Sequence, residues 1–311
     1  MNLKGRSFLT LKDFTPQEIE GLLELSAQLK DEKKRGITGN RLKGKNIALL
    51  FEKASTRTRC SFAVACNDEG AYHEYLGKDE IHLGKKESVE DTARVLGRFF
   101  DGIEFRGFSH RNIEKLAEYS GVPVWNGLTD ECHPIQVLAD FFTLKEYFGH
   151  LDGLHLAFVG DGRDNVSNSL LVGCGKMGIH LTVISPKEYW PREDVVELAC
   201  QYGKAAGSTI RVTDDVKAVE GADCIYTDVW CSMGQEKEMA QRIAILTPYR
   251  VTAEMMQATG KSDTVFMHCL PAVKGNEVTE EVFESDKSIV FDEAENRMHT
   301  AKAVMVATLA D

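Results

Sequence analysis

The sequence has no C-x-x-C pair, no long apolar run and no excess of positive charge, and each absence excludes something. Its eight cysteines (60, 66, 132, 174, 200, 224, 231 and 269) are scattered through segments that read as strands and helices, which excludes the usual spacing of a structural zinc site. The same scatter fits reduced, mostly buried thiols in a cytoplasmic protein. Unbroken apolar runs such as Ile47 to Phe51 are strand-sized, far short of the roughly 20 residues that span a membrane. The opening residues Met1 to Thr10 also lack the apolar stretch of an export signal. Lys+Arg 37 against Asp+Glu 48 leaves 37 − 48 = −11, so the surface repels phosphate backbones, and no nucleic-acid partner is expected. A local basic pocket for a small anion stays open. Proline is scarce, at 7, and no low-complexity tract occurs, which argues against disordered and fibrous classes.

What is present is an ordinary globular composition, 43% hydrophobic and 27% charged over 311 residues. At about 150 residues per domain, that length suggests two domains. Thr15-Pro16-Gln17-Glu18 is a capping box with proline at the first helical position, and Ile19, Leu22, Leu23 and Leu29 follow at helical spacing. Strand patterns at 46–51, 71–76, 103–105 and 122–125 alternate with helical ones at 56–68, 88–100, 112–119 and 135–148. The segment 148–153, rich in glycine, marks the best domain boundary. Beyond it strands at 154–159, 180–184, 209–212, 223–227 and 264–268 alternate with helices, and a last strand, 289–291, precedes a helix to about Leu309. The fold class is α/β: two doubly wound parallel-sheet domains joined by interdomain helices, with a cleft between them. The expected division is 1–147, completed by the helix 292–311, and 148–291.

Several polar clusters stand at strand ends, where open α/β sheets place ligands. Ser55-Thr56-Arg57-Thr58-Arg59 follows a strand and opens a helix, so hydroxyls, free backbone N–H groups and guanidinium forks meet at a helix N-terminus. It lacks the P-loop spacing, so it suggests a small phosphate rather than a nucleoside triphosphate. Arg106 ends the third strand. His133-Pro134-Ile135-Gln136 opens a helix, with His133 and Gln136 placed to donate toward one oxygen. Gly160 to Asn165 invites a dinucleotide reading that fails: a third glycine is missing, Asp161 and Asp164 repel a pyrophosphate, and no ribose-binding acid follows the second strand. Such a loop better suits an amino or ammonium ligand. Asp228 to Gly234 ends a strand with a carboxylate and a hydroxyl suited to an α-amino acid. His268-Cys269-Leu270-Pro271 ends another, and its adjacent His and Cys cannot form a dyad on a strand because they face opposite ways.

Taken together, these motifs resemble the carbamoyltransferase family, and in particular the ornithine carbamoyltransferases. The likeness covers essentially the whole chain in the family's order: STRTR at 55–59, Arg106, HPIQ at 133–136, Asn165, DVWCSMG at 228–234, HCLP at 268–271 and ENRMHT at 295–300. STRTR and HPxQ mark carbamoyltransferases generally, whereas SMG with HCLP marks ornithine as acceptor. The resemblance implies a first domain for carbamoyl phosphate and a second for ornithine. It implies that Ser55, Thr56, Arg57, Thr58 and Arg106 hold the phosphate, and that Arg57, His133, Gln136 and Arg297 converge on the carbonyl. The Cys269 and Leu270 carbonyls would receive the carbamoyl NH₂. Asn165, Asp228, Ser232 and Met233 would hold the ornithine backbone groups, with Cys269 near the reacting amine. His82 lies in a loop, 77–88, that in the family reaches a neighbouring subunit's site. It stands where ornithine enzymes often carry Gln and is counted among the phosphate residues. Asp164 replaces an Asn common before Asn165.

The activity so implied is transfer of the carbamoyl group of carbamoyl phosphate to L-ornithine, giving L-citrulline and phosphate, without metal or organic cofactor. The amine, with a pKa of roughly 10.4, must lose a proton before attack, and Asp228 and Cys269 are both candidates to handle it. Alternatives are another amine acceptor such as putrescine, against which SMG argues, and a non-catalytic binding homologue. A homotrimer or a multiple of trimers follows from the resemblance alone.

Overall fold

The computed structural model describes residues 2–81, 83–84, 86–231, 234 and 236–310. The chain divides into two compact units, Met1–Phe142 with Glu295–Asp311, and Thr143–Ala294. In the first unit α1 (Pro16–Lys34) is followed by β1 (Asn46–Phe51), α2 (Thr56–Asp68), β2 (Tyr72–Leu76), α3 (Val89–Phe99), β3 (Gly102–Arg106), α4 (His110–Ser120) and β4 (Val124–Leu128). The four strands are all parallel, in the order β2-β1-β3-β4. The division falls inside α5 (Pro134–Phe148) and again inside the last helix.

Local chemistry sets the ends of these elements. Thr15 and Glu18 close the capping box of α1 reciprocally, Glu18 N donating to Thr15 Oγ1 at 3.2 Å and Thr15 N to Glu18 Oε2 at 2.8 Å. Ser55 and Ser88 cap α2 and α3 through their side chains, from extended backbone. Ala48, Leu50, Ile103 and Phe105 form one apolar face of the sheet, packed with Ala93, Leu96, Ile113 and Leu116 of α3 and α4. Burying side chains of that size contributes about 1.5–3 kcal/mol each. Alternation along β3 therefore turns Gly102, Glu104 and Arg106 to the opposite face. Between Phe105 and Arg106 the pairing with β4 slips by one residue, so that Phe105 faces Asn126 and Arg106 faces Leu128. Gly127 is the residue passed over, a β-bulge on β4 beside the end of β3.

The second unit runs β5 (His155–Val159), α6 (Asn165–Met177), β6 (His180–Ile184), α7 (Glu193–Ala206), β7 (Ile210–Thr213), β8 (Cys224–Thr227), α8 (Met239–Leu246), α9 (Ala253–Ala258), β9 (Val265–His268) and α10 (Glu280–Phe283). Its five strands are parallel in the order β7-β6-β5-β8-β9. One core cluster gathers Ala157, Val159, Ile184, Ile225, Val251 and Phe266 with Val282, Phe283 and Val290. Gly160, at φ +139°, lets the chain turn out of β5 where an L side chain is strained.

The expected strand at 289–291 does not form. Ile289 N donates to Phe266 O at 3.0 Å, which leaves a single bridge between Phe266 and Ser288, and α11 (Val290–Leu309) begins at once. The three apolar residues 289–291 that read as a strand thus serve a bridge and a helix start.

Candidate active site

The first cluster is assembled by the first unit at the end of its sheet. Ser55 Oγ accepts from Thr58 N at 3.2 Å, and the first turn of α2 carries no acidic residue, so the positive end of that helix meets no built-in counter-charge. Thr56 is exposed, and Arg57 is half-buried with its Nε out of water and without a hydrogen bond. Thr58 is buried, and its Oγ1 accepts from Arg106 Nη1 at 3.3 Å and from Arg297 Nη2 at 2.7 Å. Arg106 arrives on the last residue of β3 and Arg297 on α11. His133, just before α5, places Nε2 at 3.4 Å from Arg297 Nη2. Gln136 lies in the first turn of α5, but its Nε2 donates to Asp140 Oδ1 at 2.8 Å rather than pointing with His133 at one oxygen.

Electrostatics follow from burial among guanidinium groups. Burial, then the charges of Arg297, Arg106 and Arg57, hold His133 well below the ordinary histidine value, so its ring is neutral at neutral pH. Glu104 is fully buried one turn of the pleat from Arg106. Burial pushes its carboxyl well above the usual range, although Arg106 and Arg297 pull the other way.

The second cluster belongs to the second unit. Thr227 and His268 are register partners at the carboxyl ends of β8 and β9, so Asp228 and Cys269, the next residues, emerge side by side. Cys269 donates its thiol to Asp228 Oδ1 at 3.0 Å, and Val229 N donates to the same oxygen at 2.7 Å. Burial first, and then Asp228, Glu293 and Asp164, push the Cys269 thiol well above its ordinary value. Asp164 caps α6 through Val166 N at 2.6 Å, and Asn165 is the first residue of that helix. Burial and the neighbouring Asp228 and Asp161 raise the Asp164 carboxyl well above the carboxylate range. Asp161 is held by buried Arg242, which also donates to Trp230 O.

The HCLP turn is fixed from inside. Leu270, at φ +60°, donates its N–H to His268 Nδ1 at 2.9 Å, and His268 Nε2 faces Glu277 Oε1 at 3.3 Å. These partners assign the proton of the ring to Nε2. His268 and Cys269 therefore serve different partners, Glu277 and Asp228. Ligand atoms of Asp228, His268 and Cys269 lie within 4.8 Å of one another, but both His268 nitrogens are already engaged. An amine, held by a carboxylate and a thiol, suits this chemistry better than a metal ion.

The structure thus brings Thr58, Arg106, His133 and Arg297 together, sets Ser55, Thr56 and Arg57 on the same helix end, and pairs Asp228 with Cys269. His82, Ser232 and Met233 lie outside the described residues. Motif and spacing alone do not single out Glu104, Asp140 or Arg242. For Glu104 a signal exists: in Ile103-Glu104-Phe105-Arg106 the alternation puts the acid on the face of the arginine.

Both units of the chain match models of one family. Residues 6–146 match the family model described as aspartate/ornithine carbamoyltransferase, carbamoyl-P binding domain, and residues 152–308 the one described as aspartate/ornithine carbamoyltransferase, Asp/Orn binding domain. The chain is 56% identical to a protein of Bacillus licheniformis named "Ornithine carbamoyltransferase, catabolic", over 100% of this chain and 98% of that one. It is 57% identical to the "Ornithine carbamoyltransferase" of Caldanaerobacter subterraneus subsp. tengcongensis, over 99% of each. Among solved structures, the ornithine carbamoyltransferase of Pyrococcus furiosus superposes with a TM-score of 0.96 at 43% identity, covering 99% of this chain and 98% of that one. With both family models matched across both units and relatives alike from end to end, the chain belongs to the aspartate/ornithine carbamoyltransferase family.

Proposed function

We propose that this protein is an enzyme that transfers the carbamoyl group of carbamoyl phosphate to the side-chain amine of L-ornithine, giving L-citrulline and phosphate. The observation that carries the reading is the meeting of Arg106 and Arg297 on Thr58 beside the amino end of α2. Two guanidinium groups, a hydroxyl and a helix terminus without a counter-acid make a receptor for a phosphate dianion. Names borne by relatives at 56–57% identity supply the acceptor.

In this reading Ser55, Thr56, Arg57, Thr58 and Arg106 hold the phosphate, joined by His82. Arg57, His133 and Arg297 face the carbonyl oxygen, Gln136 stands at the same carbonyl region with its Nε2 engaged by Asp140, and the Cys269 and Leu270 carbonyls receive the carbamoyl NH₂. Asn165, Asp228, Ser232 and Met233 hold the α-amino and α-carboxylate groups of ornithine. Attack of the neutral amine on the carbonyl carbon forms a C–N bond and an oxyanion. A neutral His133 and the charged arginines are suited to donate to that oxyanion, and removing one such donor typically costs about 10²–10³ in rate. The amine's proton passes to Asp228, because the Cys269 thiol is already protonated and donates to that carboxylate. Collapse breaks the carbonyl C–O bond and expels phosphate, whose charge the arginines neutralise. The carbamoyl group arrives activated, so no metal or organic cofactor enters the scheme.

The reaction belongs to arginine metabolism, and the same residues serve it in the biosynthetic and the degradative direction. We take the working form to be a cytoplasmic homotrimer or a multiple of trimers, on the family resemblance. No helix among the described residues is long and apolar enough to cross a membrane. The test is citrulline formation by the purified protein from carbamoyl phosphate, with ornithine, putrescine and aspartate offered separately. Turnover confined to ornithine supports the reading. Turnover with putrescine or aspartate instead transfers the acceptor assignment to that amine, and binding of both substrates without product leaves a non-catalytic homologue.

A further inference from the structure

Glu104 is a charged residue where a strand core should be apolar. It sits in the middle of β3, paired with Leu49 of β1 and Trp125 of β4, and is wholly buried. Both oxygens of its carboxyl are out of water, and neither has a hydrogen-bond partner. The carboxyl is lodged against the bulge at Gly127: a Cβ added there would come within 1.9 Å of Glu104 Oε1 and 3.0 Å of Thr58 Cγ2. Its charged neighbours are the two residues that meet on Thr58, Arg106 from β3 and Arg297 from α11, and the titratable group facing it from α2 is Cys66. An ordinary structural acid in such a place would be hydrogen-bonded, because an unpaired buried carboxylate is among the most costly groups a protein can hold.

We propose that Glu104 is a positioning residue that matches the charge of the phosphate cluster to its ligand, taking up one proton from solvent as the phosphate dianion binds at any pH where the free protein holds it ionised, and returning it as phosphate leaves. This inference rests on the reading of Arg106, Arg297 and Thr58 as the phosphate receptor. With Glu104 ionised, its charge draws on the two guanidinium groups and repels the incoming anion. With Glu104 protonated, both guanidinium charges face the phosphate. By linkage, the protonated form binds the anion more tightly. Affinity therefore falls by up to about tenfold per pH unit once the pH exceeds the Glu104 pKa of the free protein. The neighbouring groups do not blur this signal. Burial and Glu104 itself push the Cys66 thiol up to about 12, His133 lies well below its ordinary value, and the guanidinium groups stay charged.

Calorimetric titration of the full chain with inorganic phosphate and with carbamoyl phosphate, at pH values where each is fully dianionic and in two buffers of different ionisation enthalpy, counts the protons exchanged. The wild type is expected to take up protons that Glu104→Gln does not. Its affinity should fall about tenfold per unit at alkaline pH where the variant's stays flat. Equal proton counts and equal pH slopes in the two proteins overturn the proposal, as does a Glu104→Gln affinity lowered by one constant factor at every pH, which is what a merely structural role predicts. Should the variant fail to fold, the infrared difference spectrum of the wild type on adding phosphate, taken at the alkaline pH where its affinity is falling, decides. A carboxylate band replaced by a protonated carboxyl band supports the proposal, and an unchanged carboxyl region overturns it. If neither anion binds the wild type, the phosphate reading fails and takes this proposal with it, whereas binding without proton exchange refutes Glu104's role alone.

Discussion

Cys269 donates its thiol hydrogen to Asp228 Oδ1 across 3.0 Å, with Sγ buried and the carboxylate also taking Val229 N. A thiol in that position is held protonated by burial and by the carboxylate's charge, so it is a poor nucleophile at neutral pH despite standing where a thiol catalyst would be sought. Alkylation at pH 8, followed by mass spectrometry, should therefore modify exposed Cys60 and Cys200 well before Cys269. Asp228→Asn removes the charge and should bring thiolate formation at Cys269 to lower pH, raising its alkylation rate by about tenfold per unit of that shift. An unchanged rate would show that burial alone holds the proton.

Arg57 offers a separate test of the anion cluster. It stands in the first turn of α2, half-buried, with a buried Nε that makes no hydrogen bond, so little of the fold depends on it. Arg57→Ala should lower kcat by about 10²–10³. Stability in urea unfolding should stay within about 1 kcal/mol of the wild type. Near-normal turnover would remove Arg57 from the chemistry.

His133 predicts a pH dependence of stability with a definite sign. Its folded-state value is depressed by burial and three arginines, while the unfolded chain titrates near about 6.5. Above that pH both states are neutral at this residue and it costs nothing. As the pH falls below it, the unfolded state binds a proton that the folded state refuses, so stability drops with falling pH. His133→Asn should lose less stability than the wild type between pH 7 and pH 5, measured by urea midpoints at matched ionic strength. A larger loss in the variant would reverse the sign and contradict the depressed value.

Much of this architecture is legible in the amino-acid sequence. The alternation of strands and helices, the capping box at Thr15, and STRTR opening a helix after a strand are all local patterns, and local patterns survive in a sequence. Thr58 and Arg297, by contrast, are 239 residues apart in the chain, and nothing in periodicity reveals their pairing. Glu104 is easily passed over because a single acid inside a strand reads as a solvent-facing residue, and only the alternation that sets it on the face of Arg106 points to it. The strand expected at 289–291 fails for the converse reason: three apolar residues carry no period, and the bridge at Ser288 is as short as a bridge can be. Arg242 reads in the sequence as one more surface charge near the start of a short helix, yet it is buried and closes on Asp161.

That ion pair has its own consequence. Arg242 and Asp161 expose 3% and 9% of their side chains, and Arg242 also donates to Trp230 O. Removing one member of a buried pair costs about 3–5 kcal/mol when the other charge is left uncompensated; Asp161 keeps Arg163, whose backbone N–H donates to Oδ1 at 2.9 Å and whose Nε lies 3.7 Å away, which places the loss at the lower end. Arg242→Met should therefore lower stability by that order, whereas Asp161→Asn with Arg242→Met should recover part of the loss, both read from urea unfolding.

Gly127 makes the last prediction, because it joins the bulge to the buried acid. Its backbone is not in the left-handed region, so alanine is conformationally allowed there; only space forbids it. The added Cβ would meet Glu104 Oε1 at 1.9 Å and Thr58 Cγ2 at 3.0 Å. The carboxyl must shift within a packed interior, and Thr58, which carries both arginines, is the neighbour on the other side. Gly127→Ala should cost about 1–3 kcal/mol of stability. It should also weaken inorganic phosphate binding, because Arg106 and Arg297 lose their common acceptor position. Combining it with Glu104→Ala frees the space the new methyl needs, so the double variant should lose less stability than the sum of the two single losses. Strict additivity in urea unfolding would mean that the two residues do not share that space, and that the bulge is held open by something other than the carboxyl.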